Sequence, residues 1–159
     1  MTSGRLKILL VDDSHEDRVL LAQALSYAGL ACELAEASDG EEADLHLERH
    51  LKEGDPPKLV VLDLILPKRS GLEIMRAWHA KGYTARTQIV ILSSVLTEGE
   101  IAKLQGLGAA RIFQKPVDLD EFLALGERVK ELAVADYAGT VNQKVDPSPG
   151  FDSAHSFPP

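Results

Sequence analysis

The sequence predicts an α/β protein built on a doubly wound, five-stranded parallel sheet. Three observations carry that prediction. Short aliphatic runs alternate with amphipathic stretches five times along the chain, as parallel strands joined by crossover helices require. Two of the runs, Leu59-Val60-Val61-Leu62 and Ile89-Val90-Ile91-Leu92, are apolar at every position, which suits strands covered on both faces. Four of the runs also stop abruptly at polar residues capable of chemistry.

Taken in order, the first strand is Leu6 to Val11 and ends at Asp12-Asp13. Ser14, with Asp17 three residues on, has the spacing of an N-cap and its capping-box partner. The helix they open runs to about Ala28, with Leu21, Leu25 and Ala28 on one face and Gly29 as its stop. A weaker strand follows near Ala31 to Ala35, and Cys32 within it reads as a small buried residue. Ser38 and Glu41 repeat the capping-box spacing and open a second helix carrying Ala43, Leu47 and Leu51. Gly54-Asp55-Pro56-Pro57 breaks that helix. His46 and His50 lie four apart on it, a spacing open to metal ligands. With many charges around them and no third ligand in view, they read instead as part of a solvated face.

Leu59 to Leu62 is the third strand and ends at Asp63. A helix from about Leu72 to Ala80 puts Ile74 and Trp78 on its packed side. The fourth strand, Ile89 to Leu92, ends at Ser93-Ser94, and a short helix from about Gly99 to Leu107 stops at Gly108. Arg111 to Phe113 forms the fifth strand, ending at Lys115-Pro116. Asp118, with Glu121 three on, caps a last helix bearing Phe122, Leu125, Val129 and Leu132. Residues 1–134 make one domain. Residues 135–159 read as a proline-containing tail, flexible or associated with an oligomer.

The 159 residues suffice for one domain with a proper core. No run approaches the ~20 apolar residues of a membrane span. The apolar run at Ile8 to Val11 is too short for a signal peptide, so the expected location is the cytoplasm. The net charge of −8, without a basic tract, speaks against a nucleic-acid partner. Cys32 is the single cysteine, which excludes an internal disulfide and a cysteine-based zinc site.

In an open parallel sheet, ligands sit outside the carboxyl ends of the strands. The residues at those ends are Asp12-Asp13, Asp63, Ser93 and Lys115: three carboxylates, a hydroxyl and an ammonium on one edge. Neighbouring carboxylates repel one another unless a cation joins them. Oxygen-only ligands suit Mg²⁺. With the cation in place, one carboxylate is free to attack phosphorus and form an acyl phosphate. Lys115 and the Ser93 hydroxyl are candidates to bind the phosphoryl oxygens.

Four stretches, in this order and spacing, resemble the receiver domain of the two-component response regulator family. They are Ile8-Leu9-Leu10-Val11-Asp12-Asp13, Leu62-Asp63-Leu64-Ile65-Leu66-Pro67 with Ser70-Gly71-Leu72, Val90-Ile91-Leu92-Ser93-Ser94, and Lys115-Pro116. The resemblance covers about Leu6 to Ala133. It implies a flavodoxin-like (βα)5 receiver fold with strand order 2-1-3-4-5. Asp63 becomes the phosphoacceptor, and Asp12 and Asp13 organise Mg²⁺, with Asp13 a direct ligand. The backbone carbonyl of Ile65 becomes a further metal ligand. Ser93 becomes the switch hydroxyl, and Lys115 the partner of the phosphorylated carboxylate, with a cis bond to Pro116.

The implied phosphodonor is a phosphohistidine on a sensor histidine kinase or phosphotransfer protein. The implied output surface is the fourth helix, fifth strand and fifth helix, roughly Glu98 to Leu132, which binds a target, relays the group or forms a homodimer. With only 135–159 beyond the last helix, a single-domain regulator is expected. The Leu64 to Leu66 stretch with Lys68 also resembles single-domain regulators paired with bacterial phytochromes. Turnover of external substrates is not expected. Many aspartyl phosphatases carry a second carboxylate two residues after the nucleophile, and Ile65 stands there. Two features depart from the family pattern or colour it. The aromatic switch position is Ile112, while the adjacent Phe113 should face the other way. Ile65 and Val95 place apolar side chains beside the site, where they would hinder attacking water.

Overall fold

The computed structural model describes residues 6–135. Five parallel strands form one sheet: β1 (Leu6–Val11), β2 (Cys32–Ala37), β3 (Leu59–Asp63), β4 (Gln88–Ser93) and β5 (Arg111–Gln114). Their order is β2-β1-β3-β4-β5, so β1 and β3 are central and the chain reverses direction across the sheet between them. The helices are α1 (His15–Tyr27), α2 (Gly40–Lys52), α3 (Gly71–Ala80), α4 (Glu98–Gly106) and α5 (Leu119–Val134).

The two-residue period of the strands divides the core in two. Leu9, Val11, Val60, Leu62, Ile89 and Ile91 face α2, α3 and α4. Their immediate neighbours Ile8, Leu10, Leu59, Val61, Val90 and Leu92 face α1 and α5. This alternation explains why the central runs are apolar throughout: each residue is needed by one layer or the other. Trp78 is fully buried in the first layer, as its helical spacing predicts. Its indole N–H donates to Asp44 Oδ1 at 2.7 Å, while Arg69 holds the other Asp44 oxygen at 2.8 Å, tying α2 to α3.

Local chemistry sets the helix starts. Ser14, Ser70, Thr97 and Asp118 each accept the backbone N–H three residues on. At α2 the structure departs from the Ser38–Glu41 expectation. Asp39 is the cap and accepts from Glu42 N–H, while the Glu42 side chain reaches back to the Ser38 N–H at 2.7 Å. Both registers have the same spacing, and the carboxylate of Asp39 wins the cap. β2 runs two residues past the expected Ala35, and Cys32, at its start on the sheet edge, is half-buried rather than buried. Of the tail assigned to 135–159, all but Ala135 lies outside the described residues.

Candidate functional site

Parallel strands bring their carboxyl ends to one edge, and β1, β3, β4 and β5 deliver the acidic pocket there. Asp63 is the last residue of β3, in register with Leu92 of β4, and is almost fully buried. Its Oδ1 accepts the Ile65 N–H at 3.1 Å and its Oδ2 lies 2.8 Å from Lys115 Nζ. Asp12, just past β1, is likewise buried, with Oδ1 accepting the Ser14 N–H at 2.9 Å. Arg18 donates to the Asp12 carbonyl at 2.5 Å and to Glu36 at 2.7 Å, fixing the β1–α1 turn. Asp13 is exposed, yet carboxylate oxygens of Asp12, Asp13 and Asp63 all lie within 4.8 Å of one another.

Lys115 enters from the end of β5 and is held in place by its own N–H, which donates to the Ser93 carbonyl at 2.9 Å. Its ammonium touches Asp12 and Asp63 at 2.8 Å and Asp17 at 2.9 Å. Burial opposes the charge on Lys115, but hydrogen bonds to these three carboxylates overcome it and hold its pKa above the ordinary lysine value. Asp12 moves the other way from a paired carboxylate. Burial raises its pKa and outweighs the lowering by Lys115 and by the Ser14 N–H. A buried acid that burial discourages from ionising, beside two more carboxylates, is a pocket that gains from a hard divalent cation.

The loop after Asp63 is shaped by one close approach and one unusual turn. Gly71 N–H donates to the Leu64 carbonyl at 2.8 Å. A Cβ on Gly71 would sit 2.5 Å from Leu64 Cα and 2.8 Å from the Asp63 carbonyl oxygen, so only glycine lets α3 pack onto the strand end. Lys68, at the turn of the loop, takes φ +69°, uncommon without glycine, and pairs with Asp39 at 3.5 Å.

Residues 8–126 match the response regulator receiver domain family over most of the chain. The chain belongs to that family. The receiver is 27% identical to the probable chemotaxis protein CheY of Rhizobium etli over 125 residues, covering 79% of this chain and 92% of that protein. It is 35% identical to the response regulator MprA of Mycolicibacterium vanbaalenii over 121 residues, 75% of this chain and 48% of MprA. The chain thus spans about half the length of that relative. Among solved structures it resembles the phosphorylated cyanobacterial phytochrome response regulator RcpA, with TM-score 0.73 at 26% identity over 83% of this chain and 96% of that one. The Mn²⁺-bound form of the response regulator Rcp1 gives TM-score 0.70 at 25% identity, over 82% and 97%.

The receiver fold therefore brings Asp12, Asp13, Asp63 and Lys115 together, with Ser93 buried at the neighbouring strand end. The Ser93 hydroxyl donates to the Val95 carbonyl at 2.9 Å, so as a switch it would have to turn from that bond. The Lys115–Pro116 bond is trans, against the cis bond that the resemblance implies. Ile112 packs into the α2–α3–α4 layer and Phe113 into the α1–α5 layer, as the alternation predicts. The ring at position 113 is thus on the wrong face to serve for Ile112. Ile65, whose N–H reaches Asp63, and Val95, whose carbonyl accepts from Ser93, have 60% and 67% of their surface exposed.

Two readings of single residues change. Asp17, taken from its spacing as a capping partner, instead sends its carboxylate to Lys115. His46 and His50 are not on a solvated face. They line a cavity of about 80 Å³ with Lys7, Glu33 and Pro57, and both Nδ1 atoms are buried without a hydrogen-bond partner. Among the described residues, no helix is long and apolar enough to cross a membrane.

Proposed function

We propose that this receiver is a phosphoacceptor switch in a two-component phosphorelay, with Asp63 as the acceptor. The observation that carries the reading is a buried carboxylate at a central strand end, 2.8 Å from an ammonium and within 4.8 Å of two more carboxylates. Asp63 forms a P–O bond as the P–N bond of a phosphohistidine on a sensor histidine kinase or phosphotransfer protein breaks. Asp12, Asp13, Asp63 and the Ile65 carbonyl are the residues to hold Mg²⁺, which when bound neutralises phosphoryl charge. The cluster fits that ion: its ligands are all oxygen, and Asp13 reaches solvent.

Lys115 contributes a fixed positive charge to the phosphoryl oxygens, and Ser93 a hydroxyl once it leaves Val95. The change is then read by a protein partner, or a second copy, at α4, β5 and α5. The test is intact-protein mass after incubation with acetyl phosphate and Mg²⁺, for wild type and Asp63→Asn, with size-exclusion elution alongside. One added phosphoryl mass in wild type alone supports the reading, and an elution shift makes self-association the output. No added mass at any Mg²⁺ concentration overturns it in favour of an interaction module that works without phosphorylation.

A further inference from the structure

Asp17 belongs to none of the stretches that mark the receiver pattern, yet it takes a full share of the central cation. An ammonium has three N–H donors, and those of Lys115 meet three carboxylates: Asp12 at 2.8 Å, Asp63 at 2.8 Å and Asp17 at 2.9 Å. Each oxygen of the first two already has one partner. Asp12 gives Oδ1 to the Ser14 N–H and Oδ2 to Lys115, and Asp63 gives Oδ1 to the Ile65 N–H and Oδ2 to Lys115. A divalent cation held by Asp12, Asp13 and Asp63 would share two of its carboxylates with Lys115, and the two like charges would repel.

Asp17 differs from both. It sits in the first turn of α1 on a backbone N–H capped by Ser14 Oγ at 3.2 Å, and its carboxylate is not part of the Asp12–Asp13–Asp63 cluster.

We propose that Asp17 is a positioning residue for Lys115. It keeps the ammonium against α1 when Asp12 and Asp63 turn to a divalent cation, so that the two cations share the pocket. Without Asp17, Lys115 is left with Asp12 and Asp63, and it competes for the oxygens the metal needs. The inference rests on the phosphoacceptor reading above and adds to it the residue that lets two cations share the pocket. Removing any nearby negative charge also weakens cation binding through the field, so contact and field must be separated. Glu16 supplies the control: it is exposed, adjacent in the same helical turn, of the same charge, and none of the three bonds of Lys115 goes to it.

The experiment is calorimetric titration of Mg²⁺ into the full chain, comparing wild type, Asp17→Asn, Asp17→Glu, Glu16→Gln, Lys115→Met and the double variant Asp17→Asn/Lys115→Met. Asp17→Asn is expected to weaken binding about fivefold, the upper end of what a partly exposed ion pair supplies. Glu16→Gln should change it by less than about twofold, as a screened charge does. Asp17→Glu should restore most of the loss. In the Lys115→Met background, Asp17→Asn should cost no more than Glu16→Gln, because its effect passes through the ammonium. Equal effects of Asp17→Asn and Glu16→Gln overturn the proposal. So does a loss that persists in the Lys115→Met background. If that background does not fold, failure of Asp17→Glu to restore binding overturns it. Wild type that neither binds Mg²⁺ nor gains phosphoryl mass overturns the phosphoacceptor reading, and the proposal with it.

Discussion

Replacing Lys115 with Met removes the one cation that Asp12, Asp17 and Asp63 share, while keeping most of the apolar stem of the side chain. Removing one member of a buried ion pair costs roughly 3–5 kcal/mol because a charge is left uncompensated. Three features of the site reduce that figure. Each buried carboxylate keeps one backbone N–H, from Ser14 and Ile65, and Asp17 is 30% exposed and so is already stabilised by water. Asp12, whose pKa burial already raises, can also take up a proton. The expected loss near neutral pH is therefore about 2–3 kcal/mol, or on the order of 10 °C in Tm for a domain of this size.

The sign with pH follows from linkage. A carboxyl whose folded-state pKa is raised costs nothing below its unfolded value, and the cost grows as pH rises through the folded one. The variant should thus lose less stability in mild acid than at neutral pH. Urea denaturation in EDTA at several pH values reads this directly. Saturating Mg²⁺ should return more stability to the variant than to wild type, since the ion supplies the charge that Lys115 no longer does. A variant as stable as wild type in EDTA would refute the reasoning, because the three contacts would then carry no net energy.

Further outcomes follow from other parts of the site and core. Gly71→Ala forces a methyl group against Leu64 and the Asp63 carbonyl and should cost about 1–3 kcal/mol, measured by urea denaturation, with slower phosphoryl uptake because the acceptor strand end must shift. Burial, together with Lys7 and Arg49, lowers the His50 pKa, so His50 is neutral in the fold and stability should fall as pH drops below about 6.5. His50→Gln should flatten that slope in denaturation series run across this range. Val95→Asn puts a polar side chain next to the Ser93 end of the site and should speed loss of the phosphoryl group in Mg²⁺. An acyl phosphate that lasts only seconds in wild type would contradict the shielding role of Ile65 and Val95.

Most of the fold was legible because two signals agreed at each element. The apolar runs of β3 and β4 demanded cover on both faces, and each ended at a polar residue that the parallel sheet carries to one edge. Asp12, Asp13, Asp63, Ser93 and Lys115 could be named from the sequence for that reason. Asp17 could not, because its partner lies at the far end of the chain and its local spacing offered a sufficient role as a cap. The histidines show the opposite error. Ala43, His46, Leu47, His50 and Leu51 form the inward stripe of α2 at the spacing of an amphipathic helix, but the surrounding charges drew attention away from it. At Ser38 and Asp39 the sequence offered two equivalent registers, and only the three-dimensional path of the β2–α2 turn chose between them.

The two helices that frame β5 are fastened very differently. α5 sinks Phe122, Leu125, Gly126, Val129 and Ala133 into its layer, and Gly126 lies so near α1 that a Cβ there would meet the Ala24 carbonyl oxygen at 2.7 Å. α4 has Leu104 as its one fully buried side chain. A surface made from both helices therefore has one wall bolted down and one hung on a single pin. Strain arriving from the strand ends would displace α4 more readily than α5, which has more buried side chains to unseat. A partner that grips both would sense a change in the gap between them.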